Sequence, residues 1–156
     1  MIPRTKGRMA LCCGLLCCNL LFIWGNSLLS AEISGTLSQW VTDLLGFALL
    51  EEIPGQGEGV LRKLAHFTEF CSLGILLSWL FAMLKERFWV LAAGCGCLAA
   101  CVDELLQHFS PGRAPRLTDV AIDTAGVLAG IGLLCFGYAM RKKKIIITTY
   151  FGGKQS

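Results

Sequence analysis

From Leu61 to Leu84 the sequence is apolar except at its mouth, where Arg62, Lys63, His66 and Glu69 fall within the first nine residues. A run of this length matches the roughly 20 residues that a helix needs to cross the hydrocarbon of a bilayer. Comparable runs cover about 9–26, 88–109 and 117–140. Lipid offers no partner to backbone N–H and C=O groups, so each run must satisfy its own, as a helix does. Composition agrees: 54% of the 156 residues are hydrophobic, and the mean hydropathy is +0.62, which is too apolar for an ordinary soluble domain. The expectation is an all-α membrane protein with four transmembrane helices. It comprises an N-terminal segment 1–8, a single membrane domain 9–140 and a basic tail 141–156.

The first run follows Arg4, Lys6 and Arg8, so it also has the look of a secretory signal peptide. The stretch Ser27-Leu28-Leu29-Ser30-Ala31 makes a poor cleavage site, with Leu29 where a small residue is preferred. The run therefore reads as an uncleaved first span. Residues 27–61 contain no Lys or Arg and hold Glu32, Asp43, Glu51, Glu52 and Glu58. Within them Leu37, Trp40, Val41, Leu44, Leu45 and Ala48 recur at helical spacing, Ser34 offers an N-cap and Pro54-Gly55 a stop. This amphipathic helix is too short and too charged to span. It is expected to lie in the membrane interface with Trp40 at headgroup level, between the first and second spans. Lys85-Glu86-Arg87 reads as a tight turn. Beyond Arg141-Lys142-Lys143-Lys144 the chain becomes a short β-prone tail, Ile145 to Phe151.

Four spans put both termini on one side. The N-terminus, the 85–87 turn and the 141–144 run hold most of the Lys and Arg, so that side is expected to be the cytoplasm. Of the eleven acidic residues, only Glu86 then falls on the cytoplasmic side. The net charge of +3 is explained by these helix-end clusters and carries no nucleic-acid signature. The nine cysteines lie in the apolar runs rather than in polar loops, which suits small packing residues better than a disulfide framework or a thiolate metal site. Gly126-Val127-Leu128-Ala129-Gly130 is a GxxxG match that lets the last span approach a neighbour within the chain.

Depth stratifies the polar residues. At about 1.5 Å of rise per residue, Glu69 lies roughly 8–10 Å inward from the start of its helix, and Asp103 a similar distance from the end of its own. Asp119 and Asp123 bracket the same level at the start of the last span. Arg62, His66 and Glu69 follow i, i+4, i+7 spacing; Asp103 and Gln107, like Asp119 and Asp123, are i, i+4. Each set can face the bundle interior, and the 110–116 loop brings Arg113 and Arg116 over the same layer. Ionisable residues at such depth are costly and usually paired or functional. The plainer alternative is a hydrogen-bonded network that only holds the helices in register.

Three blocks in this order resemble the VanZ-like family of small bacterial membrane proteins. They are Arg62-Lys63-x-x-His66-x-x-Glu69-Phe70, then Asp103-Glu104-x-x-Gln107-x-Phe109-x-Pro111-x-Arg113, then Asp119-x-x-x-Asp123-x-x-Gly126. The family carries a Ser-Ser-Gln-like segment after its first helix; here Asn26-Ser27 and Ser34 to Ser38 occupy that region without the adjacent Gln. The resemblance implies a multi-pass protein of the bacterial cytoplasmic membrane. Its founding member is associated with resistance to the glycopeptide teicoplanin.

Two functional readings stand from the residues. In the first, an outward-facing polar site binds an anionic lipid-linked or amphiphilic ligand through Arg62, Lys63, Gln107, Arg113 and Arg116, since arginine forks suit phosphate and carboxylate. Membrane lipids are then its surroundings and its partners, and lowered teicoplanin susceptibility would follow from altered or masked surface ligands. In the second, His66, Glu69, Asp103, Glu104, Asp119 and Asp123 supply acid–base groups or a divalent-cation site for an intramembrane enzyme acting on a lipid or cell-wall precursor. No motif names a reaction. A proton-linked transporter is disfavoured, because the acidic layer stays on one side of the membrane.

Overall fold

The computed structural model describes residues 5–45, 60–84, 88–113 and 116–151. Among the described residues the chain forms five helices and no strand: α1 (Lys6–Ser27), α2 (Ala31–Leu45), α3 (Val60–Leu84), α4 (Phe88–His108) and α5 (Leu117–Phe151). All but α2 are long and apolar enough to cross a membrane, α5 over Leu117–Arg141. The expected stop at Pro54-Gly55 and the 85–87 turn lie outside the described residues.

α3 is the hub and packs against each of the other four helices. Its tightest partner is α5, and small residues explain why. A Cβ added at Gly126 would collide with the Phe67 carbonyl, one at Gly130 with the Cys71 carbonyl, and one on α3 at Gly74 with the Val127 carbonyl. The two backbones touch along this line, as the GxxxG spacing leads one to expect within a single chain. Phe70, Leu73 and Val127 are fully buried beside it. α4 buries one stripe, Ala92, Gly96, Ala99, Ala100, Asp103, Glu104 and Gln107. The stripe is small and apolar at one end and polar at the other, so close packing in the middle of the bundle gives way to hydrogen bonding at its end. α1 buries Cys12, Leu16, Ile23 and Ser27 on one face against α3 and α4.

Two local expectations change. The cap of α2 is Ser30, not Ser34: the Ser30 hydroxyl accepts from the Ile33 N–H at 3.3 Å, and Ser34 lies inside the helix. The earlier start adds a turn that carries Glu32, which favours the positive end of the helix dipole. The stretch Ile145 to Phe151, β-prone by composition, continues α5 instead. Extending an existing helix needs no new nucleus, and one bond per added residue outweighs the mild β preference of isoleucine and threonine. The nine cysteines are free thiols, most of them exposed on the sides of the helices.

Candidate functional site

The chain runs up α1, down α3, up α4 and down α5. The end of α1, the start of α3, the end of α4 and the start of α5 therefore meet at one end of the bundle. Polar side chains from all four helices converge there. Arg62 Nη2 donates to Gln107 Oε1 at 3.2 Å. Gln107 Nε2 donates to Asp103 Oδ2 at 2.8 Å, and the Ser27 hydroxyl donates to Asp103 Oδ1 at 2.6 Å. Asp103 is fully buried, Gln107 nearly so. The i, i+4 pair on α4 is thus a working hydrogen bond that fixes which way the carboxylate points.

Three side chains from three different helices close on one another. His66 Nδ1 stands 3.8 Å from Asp103 Oδ2, and donor atoms of His66, Asp103 and Asp123 lie within 4.8 Å of each other. Asp123 is 1% exposed, and no described residue donates a hydrogen bond to either of its carboxylate oxygens; His66 Nδ1 likewise has none. The separation of 3.8 Å is too long for a hydrogen bond. A small cavity of about 10 Å³ adjoins this group and is lined by Arg62, Lys63, His66, Gln107, Asp119, Ile122 and Asp123. That is about the space one water molecule or one ion needs.

The remaining candidates divide between this pocket and the helix ends. Glu69 turns toward α1, where Oε1 accepts from Asn26 Nδ2 at 2.9 Å. One turn further in, Asn19 Nδ2 donates to the Ser72 hydroxyl at 2.7 Å. Glu104 is buried and accepts the backbone N–H of Arg116, the residue that precedes α5. A carboxylate there satisfies an otherwise orphan N–H and favours the positive helix end. Arg113 reaches back to the end of α1, with Nη1 3.3 Å from the Ser27 carbonyl and Nη2 3.4 Å from the Asn26 carbonyl. Ser110 donates to the same Ser27 carbonyl at 2.8 Å. The turn itself needs Gly112, whose φ of 77° lies in the left-handed region. Arg116 is exposed, and neither it nor Arg113 lines the cavity.

Asn26 and Ser27 are the participants that charge and spacing pick out least. They are uncharged and sit at the end of an apolar run. Their signal is positional: they are the last polar residues of a span whose end falls at the level of Glu69 and Asp103.

A protein-family model described as VanZ/LLP1 matches residues 11–138. No curated protein matches significantly, and no solved structure does. The matched region takes in every residue of the pocket.

Proposed function

The chain belongs to the VanZ/LLP1 family, whose model covers its residues 11–138, and on that premise we propose that it is a multi-pass bacterial cell-envelope protein that binds an anionic lipid-linked or amphiphilic ligand. The observation that carries this reading is the cavity at the polar end of the bundle, with Arg62 and Lys63 in its wall. Cations held at a membrane end suit anionic headgroups, and a guanidinium suits phosphate or carboxylate oxygens. The cavity admits little more than a single oxygen. The rest of the headgroup lies above the mouth, and the acyl chain runs along the bundle. The basic clusters at the helix ends support cytoplasmic termini and a pocket that opens on the outer face. α2 lies in the interface there: Ile33, Leu37, Trp40 and Leu44 form an exposed apolar stripe along one side of it.

The test is the lipid that co-purifies with the full-length protein. Wild type is expected to carry an anionic amphiphile that the double variant Arg62→Gln, Lys63→Gln loses. Equal recovery from both proteins would refute the binding reading. In a teicoplanin-sensitive host, wild type lowers susceptibility and the double variant does not. Unchanged susceptibility with wild type removes the resistance proposal and leaves ligand binding standing.

A second reading is favoured by the convergence of His66, Asp103 and Asp123. In it the pocket belongs to an intramembrane enzyme that modifies a lipid or cell-wall precursor by acid–base or metal-assisted chemistry. Lipid and precursor pools that are the same with and without the protein would sink it.

A further inference from the structure

We propose that His66, Asp103 and Asp123 form a binding site for one divalent transition-metal cation, Zn²⁺ or Mn²⁺, at the floor of the pocket. The three ligands come from α3, α4 and α5, so the site exists only in the folded bundle. Their donor atoms lie within 4.8 Å of one another. Around a zinc ion bound at about 2.0–2.2 Å the donors sit closer than this, so binding draws the three side chains inward by small χ rotations.

The cluster is more than a group of acids. Asp123 is 1% exposed, yet both of its oxygens lack a donor among the described residues, as does His66 Nδ1. A buried carboxylate without partners is costly, and two carboxylates facing one another compound the cost. A divalent cation removes both penalties. It cancels the charge of Asp103 and Asp123 and accepts the lone pair of His66.

The surroundings also match those of a metal ligand set. Asp103 is held through both oxygens, by Ser27 and by Gln107, and Gln107 is in turn held by Arg62. Each carboxylate oxygen has a second lone pair left for an ion. Outer partners of this kind orient metal ligands and commonly change affinity by about 10–100-fold. One nitrogen and two oxygens suit Zn²⁺ or Mn²⁺ better than soft-ligand metals. The adjoining cavity of about 10 Å³ leaves room for one further ligand, a water or an oxygen of a headgroup.

The site shares its pocket with the proposed amphiphile and rests on that reading only for the identity of this last ligand. Metal binding is therefore measured with no amphiphile added. The full-length protein, purified in detergent and stripped with a chelator, is titrated separately with Zn²⁺ and Mn²⁺. About one ion per chain is expected, with affinity falling by at least about tenfold in Asp123→Asn and by about 10–100-fold in Gln107→Ala. Pulsed electron resonance of the Mn²⁺ form is expected to show coupling to one imidazole nitrogen, lost in His66→Gln. This measurement on wild type holds even if a variant does not fold. No stoichiometric binding, binding unchanged in a folded Asp123→Asn, or Mn²⁺ without nitrogen coupling would each overturn the site. Metal retained by protein that recovers no amphiphile defeats the headgroup reading alone, and amphiphile recovered by protein that holds no metal defeats the metal site alone.

Discussion

Ser27, the last residue of α1, donates a 2.6 Å hydrogen bond to Oδ1 of Asp103 on α4, and both side chains are fully buried. The bond ties the first span to the centre of the polar cluster. Interhelical hydrogen bonds in membranes average about 0.6 kcal/mol and reach about 1.7. The acceptor here is a carboxylate, which places this bond toward the upper figure. Ser27→Ala is expected to lower unfolding free energy in detergent by about 1–2 kcal/mol. An unchanged unfolding curve would mean that Asp103 is oriented by Gln107 alone.

The α3–α5 contact sets the geometry of the pocket, because Gly126 lies one turn beyond Asp123 and faces the carbonyl next to His66. Any Cβ at Gly126 or Gly130 meets backbone, which cannot yield as a side chain can. Gly126→Ala and Gly130→Ala are expected to cost about 1–3 kcal/mol each and to reduce folded protein in the membrane. Gly132, on the same helix, has nothing within 4 Å of its would-be Cβ, so Gly132→Ala should be neutral or slightly stabilising. Equal behaviour of the three variants would argue against close backbone packing.

The four spans were legible because hydrophobic length alone demands them, and the GxxxG spacing marked where two of them meet. The polar layer was legible as well: Glu69, Asp103 and Asp123 stood at one level in three runs, with His66 on the same helix face as Glu69. Their division of labour was not. Helical spacing places Arg62, His66 and Glu69 on one face, but α1 packs along that face and draws Glu69 to Asn26. Spacing likewise says nothing of Glu104 meeting a backbone N–H across a loop. Which neighbour a side chain finds depends on how the helices are arranged around α3, and periodicity within one helix carries no record of that.

The stripe Ile33, Leu37, Trp40 and Leu44 is exposed on the bundle, and the interfacial reading says what covers it. In a variant keeping Trp40 as its sole tryptophan, lipids brominated just below the headgroup are expected to quench its emission more than lipids brominated near the acyl terminus. Quenching by aqueous acrylamide but not by brominated lipid would place α2 in water instead.

Glu104 and Asp123 are both buried acids at the same end of the bundle, and metal binding should tell their amide variants apart. Glu104 accepts the N–H of Arg116, a task that an amide oxygen also performs. Glu104→Gln should therefore keep that hydrogen bond and remove the charge at the start of α5, worth about 0.3–1 kcal/mol. Glu104→Leu leaves that N–H without this acceptor and should cost about 1–3 kcal/mol. Asp123 has no donor to keep among the described residues, so Asp123→Asn should cost little stability and weaken metal binding by at least about tenfold. Thermal unfolding and metal titration of the three variants separate the two roles. If Glu104→Gln weakened metal binding as much as Asp123→Asn, Glu104 would have to be counted with the cation site and not with the helix end.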